Sequence, residues 1–225
     1  FLKVTDNLGN NLTGTLRSWS LTATASKIQT YSAVGSSLNV AIPEAATTPL
    51  NSTLTIANAT VPQFVTGLTV TANIVHPRDS DLTLQLIGPD GTTITLADRV
   101  GGNGANFIAT VFSDAGATNI STGTAPFTGT FKPAQALSAF NGKALAGVWT
   151  LRAVDRFQNT LTGVVVNWSL NATSTGTQTN NAIGANTNLP ITDNPATPIT
   201  STITIPSLGT PQTITGLKVN LTLTH

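Results

Sequence analysis

The chain contains no cysteine and no methionine among its 225 residues, and only 8% of them are charged. The absence of cysteine excludes disulfide bonds, thiolate zinc sites and cysteine nucleophiles. Ten basic and nine acidic side chains nearly cancel, so no basic field is available to bind nucleic acid. No apolar run approaches the ~20 residues of a membrane-spanning helix, and we expect no membrane insertion. Because the chain does not begin with methionine, we expect a processed protein or a fragment.

Threonine is abundant, with 42 residues against a single glutamate, and 40% of the chain is hydrophobic. Apolar residues alternate with threonine or another small polar residue in many segments, such as 68–74 (LTVTANI) and 82–86 (LTLQL). This period of two is typical of half-buried strands. Only Pro133–Phe140 has a spacing that allows one short helical turn. The pattern predicts an all-β protein, an antiparallel jelly-roll β-sandwich.

The chain repeats itself: residues 1–76 align with residues 150–225 at a constant offset of 149. The segment LKVTDNLGNNLTGTLRSWSLTAT at 2–24 matches LRAVDRFQNTLTGVVVNWSLNAT at 151–173. Likewise, residues 52–76 match residues 201–225, which places His76 on His225. About 30 of the 76 aligned positions are identical, which is typical of a tandem array.

This repeat predicts the domain organisation. The expected parts are 1–24, the C-terminal part of a preceding repeat; 25–41, a linker; 42–173, a complete β-sandwich; 174–188, a second linker; and 189–225, the N-terminal part of a following repeat. Both linkers are small, polar and almost uncharged, as flexible segments usually are. We interpret the chain as a window on a longer array, and expect the first and last strands of the fold to be neighbours. The end of one copy could then pair with the beginning of another by strand addition.

Several motifs of the complete repeat resemble the P domain, or P/Homo B domain, of the subtilisin-like proprotein convertases. They are HPRDSDLTLQLIGPDGTTITL (76–96), RVGGNGANF (99–107), APFTGTFKPAQALSAFNG (125–142), GVWTLRAVD (147–155) and GVVVNWSLNA (163–172). The resemblance implies a jelly-roll β-sandwich that follows and stabilises a protease, or that occurs as an accessory or stand-alone repeat in secreted bacterial proteins. No protease domain accompanies it in these 225 residues.

Acidic residues are concentrated in a stretch of 36 residues, 79–114, that joins consecutive predicted strands. Ca²⁺ binds six to eight oxygen atoms from carboxylates, carbonyls and water, and the resemblance to bacterial P domains favours a bound calcium ion. The candidate ligands are Asp81, Asp114, Asp79 and Asp98. The alternative is that these side chains cap turns through their own backbone, and the same alternative holds for Asp155.

The remaining chemical candidates favour structural roles. His76 stands before a Pro turn with no serine motif of a protease, so we expect it to brace the turn rather than to act as a base. The Gly101–Gly104 segment is followed by a predicted strand, not by a helix, so it is a turn and not a phosphate-binding loop. We expect Trp149, Trp168 and Trp19 to pack in the core rather than to form a binding platform.

Two functional hypotheses follow. The first is a non-enzymatic extracellular repeat of a cell-surface fibre or adhesin, with neighbouring repeats or copies of the same chain as partners and an unknown surface ligand. The second is an accessory region of a large secreted subtilisin-like protease, which stabilises the catalytic domain or binds substrate. A carbohydrate- or collagen-binding module is a weaker third alternative. All three place the protein outside the cell, and none requires nucleic acid.

Overall fold

The computed structural model of the protein describes residues 1–35, 39–44, 46–185, 188–194, 196–205 and 211–224. The chain forms two compact units. The central unit spans Ile28–Gly176, and the terminal unit combines a tail segment, Phe1–Lys27, with a head segment, Thr177–His225. Each unit is considered separately below.

Strands account for nearly all of the regular structure. In chain order they are β1 (Leu2–Val4), β2 (Gly14–Val34), β3 (Val40–Ile42), β4 (Leu50–Ile56), β5 (Phe64–Val75), β6 (Leu82–Ile87), β7 (Thr93–Asp98), β8 (Phe107–Phe112), β9 (Thr118–Asn119), β10 (Phe127–Lys132), β11 (Gly147–Asp155), β12 (Gly163–Ile183), β13 (Leu189–Ile191), β14 (Ile199–Ser201) and β15 (Thr213–Thr224). Three 3-10 turns, Asp79–Asp81, Ile120–Thr122 and Leu137–Phe140, are the described helices, and none is long and apolar enough to cross a bilayer. The last of them is the short turn predicted within Pro133–Phe140.

The central unit is a β-sandwich, as the sequence predicts. One sheet has the strand order β4-β11-β6-β7, and every neighbouring pair in it is antiparallel. The other has the order β12-β5-β8-β10-β9, and β3 also pairs with β12. Alternation explains which side chains face inward: Leu68, Val70, Ala72 and Ile74 of β5 are buried, and the threonines between them are only partly buried.

The core between the two sheets is aromatic and aliphatic. Phe107 and Phe127 stack with ring centroids 4.9 Å apart, and Phe140 meets Trp149 edge-on at 5.0 Å. These four rings are buried together with most of the apolar residues of the inner strand faces. Aromatic contacts of this kind add to the stabilisation from burial alone. Trp149 and Trp168 therefore lie in the core, as expected.

Strand direction departs from a purely antiparallel sandwich in one region. β10 pairs with β8 and with β9 in parallel. Parallel neighbours need a crossover rather than a hairpin. Here β8 and β10 are joined by a segment that contains β9 and the 3-10 turn Ile120–Thr122. The alternation that identifies a strand gives no information on its direction, so the sequence could not reveal this difference.

The two segments predicted as linkers are largely β-strand. β2 continues to Val34 and β12 to Ile183, so most of the described residues of 25–41 and 174–188 are extended strand. In the central unit, the backbone N–H of Gly35 donates to the carbonyl of Trp168, and that of Asn39 donates to Val166. Tyr31 and Ala33 pack against the core. This segment is thus part of the β-sandwich that it precedes, and the prediction of flexible linkers is wrong for these residues.

The terminal unit contains the last strands of one repeat and the first strands of another. β2 of its tail segment pairs with β13 and β15 of its head segment, and β1 pairs with β14. These pairings have counterparts in the central unit, where β12 pairs with β3 and β5, and β11 pairs with β4. No counterparts of β6 to β10 occur among the described residues of the terminal unit.

Candidate functional site

The candidate site of the central unit is a buried polar cluster around His76, at the end of β5. His76 and Asp155, the last residue of β11, are both fully buried, and Nε2 of His76 lies 3.2 Å from Oδ2 of Asp155. Nδ1 of His76 lies 2.7 Å from the carbonyl oxygen of Arg78. Both ring nitrogens therefore have partners, and the imidazole holds the Pro77 turn against β11. This is the turn-bracing contact expected for His76.

Asp79 lies beside this pair and is also buried. Its Oδ1 accepts a hydrogen bond of 2.8 Å from the backbone N–H of Asn106, whereas its Oδ2 has no partner among the described residues. Burial raises the pKa of Asp79 from its ordinary value to about 7, although the N–H of Asn106 and the charge of His76 act in the opposite direction. The carboxyl group of Asp79 consequently titrates near neutral pH.

Two further carboxylates fix the loop that follows β11. Oδ2 of Asp81 accepts a hydrogen bond of 2.8 Å from the side-chain amide of Asn159. Oε1 of Glu44 accepts from the backbone N–H groups of Asn159 and Leu161, at 2.6 and 3.0 Å. Oδ1 of Asp155 caps the start of this loop by accepting from the N–H of Phe157. Asp155 is thus the turn cap that the sequence suggested as its alternative role.

The chemistry available to the cluster is limited. A histidine base needs one ring nitrogen on a carboxylate and the other on a nucleophilic hydroxyl. The second nitrogen of His76 is occupied by the backbone of Arg78, and the imidazole is inaccessible to solvent. Within the described ranges, no hydroxyl is hydrogen-bonded to this ring. His225 lies outside the described residues. The cluster supports the packing of loops, not nucleophilic catalysis.

The four candidate calcium ligands are not assembled into one site. Asp98 accepts a hydrogen bond of 2.7 Å from the hydroxyl of Thr83. Asp114 caps the 3-10 turn Leu137–Phe140 by accepting from the N–H groups of Leu137 and Ser138, both at 2.8 Å. Over the part of the chain that is described, no group of three or more His, Asp or Glu residues could hold a metal ion. Asp79 and Asp81 alone do not provide the oxygen set that Ca²⁺ requires. Calcium binding stays a prediction, which a chelation experiment can test.

A groove of about 660 Å³ lies elsewhere in the central unit. It runs beside Tyr31, Thr66, Thr173 and Asn141, and its only charged lining residue is Asp114, which already caps a turn. The hydroxyl of Tyr31 donates to the side chain of Gln29. Apart from Asp114, the described lining of the groove is uncharged, and more of its surface is apolar than polar.

Sequence reasoning missed two residues of these sites. Glu44 is the only glutamate of the chain, and its isolation was a signal that its place in the loop is specific. Tyr31 is the only tyrosine, and it lies in a segment interpreted as linker. Apolar or aromatic residues at 31 and 33 hinted at a strand, but two positions are too few for a period to be recognised.

Comparison with known proteins gives one family and two structures. The family model of the proprotein convertase P-domain matches residues 65–172. The crystal structure of the serine protease of Aeromonas sobria is 21% identical, covers 67% of this chain and 27% of its own, and has a TM-score of 0.37. The structure of that protease in complex with the chaperone ORF2 is 20% identical over the same shares of the two chains, with a TM-score of 0.39. No curated protein matches.

The matched range begins within β5 and ends within β12, so it lies entirely inside the central unit. It includes His76, Asp79, Asp81 and Asp155 of the buried cluster. The family motifs thus coincide with the β-sandwich and with the contacts that hold its loops. The chain therefore contains a P-domain of the proprotein convertase type, which the family model matches over residues 65–172.

Proposed function

We propose that this chain is a stretch of a non-enzymatic, extracellular array of P-domain repeats, a structural part of a cell-surface fibre or adhesin. The observation that carries the proposal is the recurrence of one strand-pairing pattern on both sides of the family match. Leu16 lies opposite Leu189 in the terminal unit, as Val165 lies opposite Val40 in the central unit. Both pairs are related by the repeat offset of 149. Recurrent modules of this kind build proteins whose length scales with the number of repeats.

The buried cluster supports a structural role for each repeat. Its carboxylates and His76 hold loops to strand ends, and both nitrogens of the only described histidine are occupied. A low content of charge and the absence of cysteine also suit a surface structure that resists chemical change. The partners that this proposal requires are neighbouring repeats and other copies of the chain.

The alternative is an accessory region of a secreted subtilisin-like protease. It is favoured by one specific observation, the match to a family model named after proprotein convertases. In that case the P-domain stabilises a catalytic domain or binds substrate, and the protein is also secreted. The two proposals differ in what surrounds these residues in the parent protein.

The test has two parts. Antibodies raised against the chain are applied to producing cells and to cells that lack the gene, and the label is located by electron microscopy. We expect label along surface filaments of the producing cells only, together with further repeats of the same period in the flanking coding sequence. Label confined to a secreted fraction with proteolytic activity, with a subtilisin-type Asp, His and Ser set encoded upstream, would favour the alternative.

A further inference from the structure

The terminal unit pairs strands that come from two different repeats. Its tail segment belongs to one repeat and its head segment to another, with the whole central unit between them in sequence. In the register of β2 and β15, Leu217 lies opposite Ala23. In the register of β5 and β12, Leu68 lies opposite Ala172. The final strand of one repeat thus pairs with the head of another in the register that the equivalent strand uses within the central unit.

The same hydrogen bond between a tryptophan and a serine side chain occurs in both units. Nε1 of Trp168 donates a hydrogen bond of 2.8 Å to Oγ of Ser52 inside the central unit. Nε1 of Trp19 donates a hydrogen bond of 2.8 Å to Oγ of Ser201 inside the terminal unit. Both tryptophans and the serine partners are buried. A buried indole N–H needs a partner. In both units that partner lies on a head strand of another sheet, β4 for Trp168 and β14 for Trp19.

A glycine packs against each of these two tryptophans. The backbone N–H of Gly35 donates to the carbonyl of Trp168, and that of Gly184 donates to the carbonyl of Trp19, at 2.9 and 3.0 Å. A Cβ atom at either glycine would collide with the indole ring of its partner. The two sites therefore require a residue without a side chain opposite a tryptophan, and both repeats provide it.

An acidic side chain completes the correspondence. Glu44 accepts from the backbone N–H groups of Asn159 and Leu161 in the central unit. At the equivalent place in the terminal unit, Asp193 accepts from the N–H groups of Asn10 and Asn11. The head of each repeat thus holds the loop that precedes a final strand, even where that strand comes from another repeat.

We propose that the head segment of one copy of this chain accepts the final strand of a second copy, residues 14–26, as an added β-strand. The contacts between β2 and β15 are the same whether the two segments belong to one chain or to two. Within one chain, the pairing of the two segments is intramolecular and does not depend on protein concentration. Exchange between copies therefore increases with protein concentration. Because head and tail are different surfaces, the contact is heterologous and can propagate from copy to copy.

This inference gives the proposed array a second mode of assembly, and only its biological setting rests on the proposed function. The partner is another P-domain chain with the same repeat. Its recognition features are a tryptophan at the position of Trp19, a buried serine partner and a glycine opposite the ring.

The absence of cysteine makes a trapping experiment direct. Ser20 and Asn220 face each other across β2 and β15, and their side chains are 3.3 Å apart. One preparation carries S20C and the other N220C. The two are unfolded in urea, refolded together at increasing total concentration and oxidised with oxidised glutathione. The control replaces N220C by T213C, because Thr213 lies opposite Ser26 and not opposite Ser20.

We expect the S20C–N220C heterodimer to form at least tenfold more than the S20C–T213C heterodimer, and its fraction to rise with concentration. The double variant S20C/N220C in a single chain reports the same pairing within one copy. If the double variant closes on itself but the mixture yields no more heterodimer than the control, pairing is confined to one chain and the proposal is wrong. If the double variant also fails to close, the pairing of β2 with β15 does not occur, and the proposal is equally wrong.

The outcome is separable from that of the proposed function. Labelled surface filaments without any trapped heterodimer would leave the array intact as a covalent chain of repeats and remove only strand exchange. A trapped heterodimer from a parent protein that encodes a protease would leave strand exchange intact and remove only the fibre.

Discussion

β5 and β15 are the same strand of the repeat in two surroundings. Their sequences, FVTGLTVTANIV and TITGLKVNLTLT, share the same alternation of apolar and polar residues. Leu68 is 8% exposed and Val70 is fully buried in β5, whereas the equivalent Leu217 and Val219 of β15 are 62% and 50% exposed. Since the alternation and the pairing with a final strand are shared, the difference arises from what else covers the strand.

The strands from the middle of the repeat bury the inner face of β5. In the central unit, β8 pairs with β5, and β4, β11, β6 and β7 form the facing sheet. The described terminal unit has no counterparts of β6 to β10. Apolar alternation therefore specifies a strand and its inward face, but the burial of that face depends on elements distant in the sequence. We therefore expect substitutions of inward-facing residues to lower the free energy of unfolding more in β5 than at the equivalent positions of β15.

The largest expected difference concerns tryptophan. Trp168→Ala removes a buried ring and leaves Ser52 without its donor, so we expect a loss of about 3–5 kcal/mol in the free energy of unfolding of the central unit. We expect a smaller loss for Trp19→Ala, because fewer elements cover the terminal unit. Differential scanning calorimetry of both variants and the wild type measures the two effects. Equal losses for the two variants would contradict the expected difference between the two sites.

Asp79 is expected to make only the central unit sensitive to pH. Its pKa is raised from 3.8 to about 7 by burial, so the folded protein binds the proton more tightly than the unfolded chain. The resulting stabilisation is fully present below about pH 4 and is lost as the pH rises to about 7, by an amount on the order of 4 kcal/mol. Urea unfolding between pH 4 and pH 8 measures the loss. Asp79→Asn should flatten this dependence, and an unchanged slope in this variant would assign the titration to another group.

The most direct comparison of β5 with β15 is between the equivalent residues Leu68 and Leu217. Leu68→Ala creates a cavity in the packed core and should cost about 2–4 kcal/mol. Leu217→Ala changes a side chain that is mostly exposed and should cost less than about 0.5 kcal/mol. Urea unfolding followed by circular dichroism measures both. Similar costs would show that β15 is covered in solution, for example by another copy of the chain, and dilution of the Leu217 variant would test that explanation.

The smallest expected loss of stability comes from adding a methyl group beside each tryptophan. A Cβ at Gly35 would collide with the indole of Trp168, so Gly35→Ala should destabilise the central unit by about 1–3 kcal/mol. Gly184→Ala makes the same collision with Trp19 in the terminal unit, where fewer elements resist a shift of the ring. We expect the smaller loss there. Tryptophan fluorescence during unfolding reports on both sites, and a neutral Gly35→Ala would contradict the tight packing of this contact.

Local signals in the sequence predicted much of the fold. Alternating residues identified β5, β6 and β12, and the spacing at Pro133–Phe140 allowed the one short turn that occurs there. The repeat placed Trp19 on Trp168, and both are buried with serine partners. These predictions succeeded because each depends on residues that are close in the chain or on a direct copy of the same segment.

The roles of the acidic residues could not be predicted in the same way. Asp114 caps a turn formed by Leu137 and Ser138, and Asp81 binds Asn159. In sequence, an aspartate that caps a distant turn looks the same as one that binds a cation. The segment at 28–34 was misjudged for a related reason, because its small polar residues are those of a linker, and only the contact of Gly35 with Trp168 shows its place.

The pairing of each repeat's first strands with its last has a consequence for the order of synthesis. β4 pairs with β11, and β5 pairs with β12, so a central unit cannot close until its final strand has been made. Ribosomes add roughly 5–20 residues per second, so the head of a repeat waits for its own final strand while the final strand of an earlier repeat has already been made. That older strand fits in the same register, as β2 fits β15. We therefore expect translation to pass through a mispaired intermediate, which the arrival of the correct strand must displace.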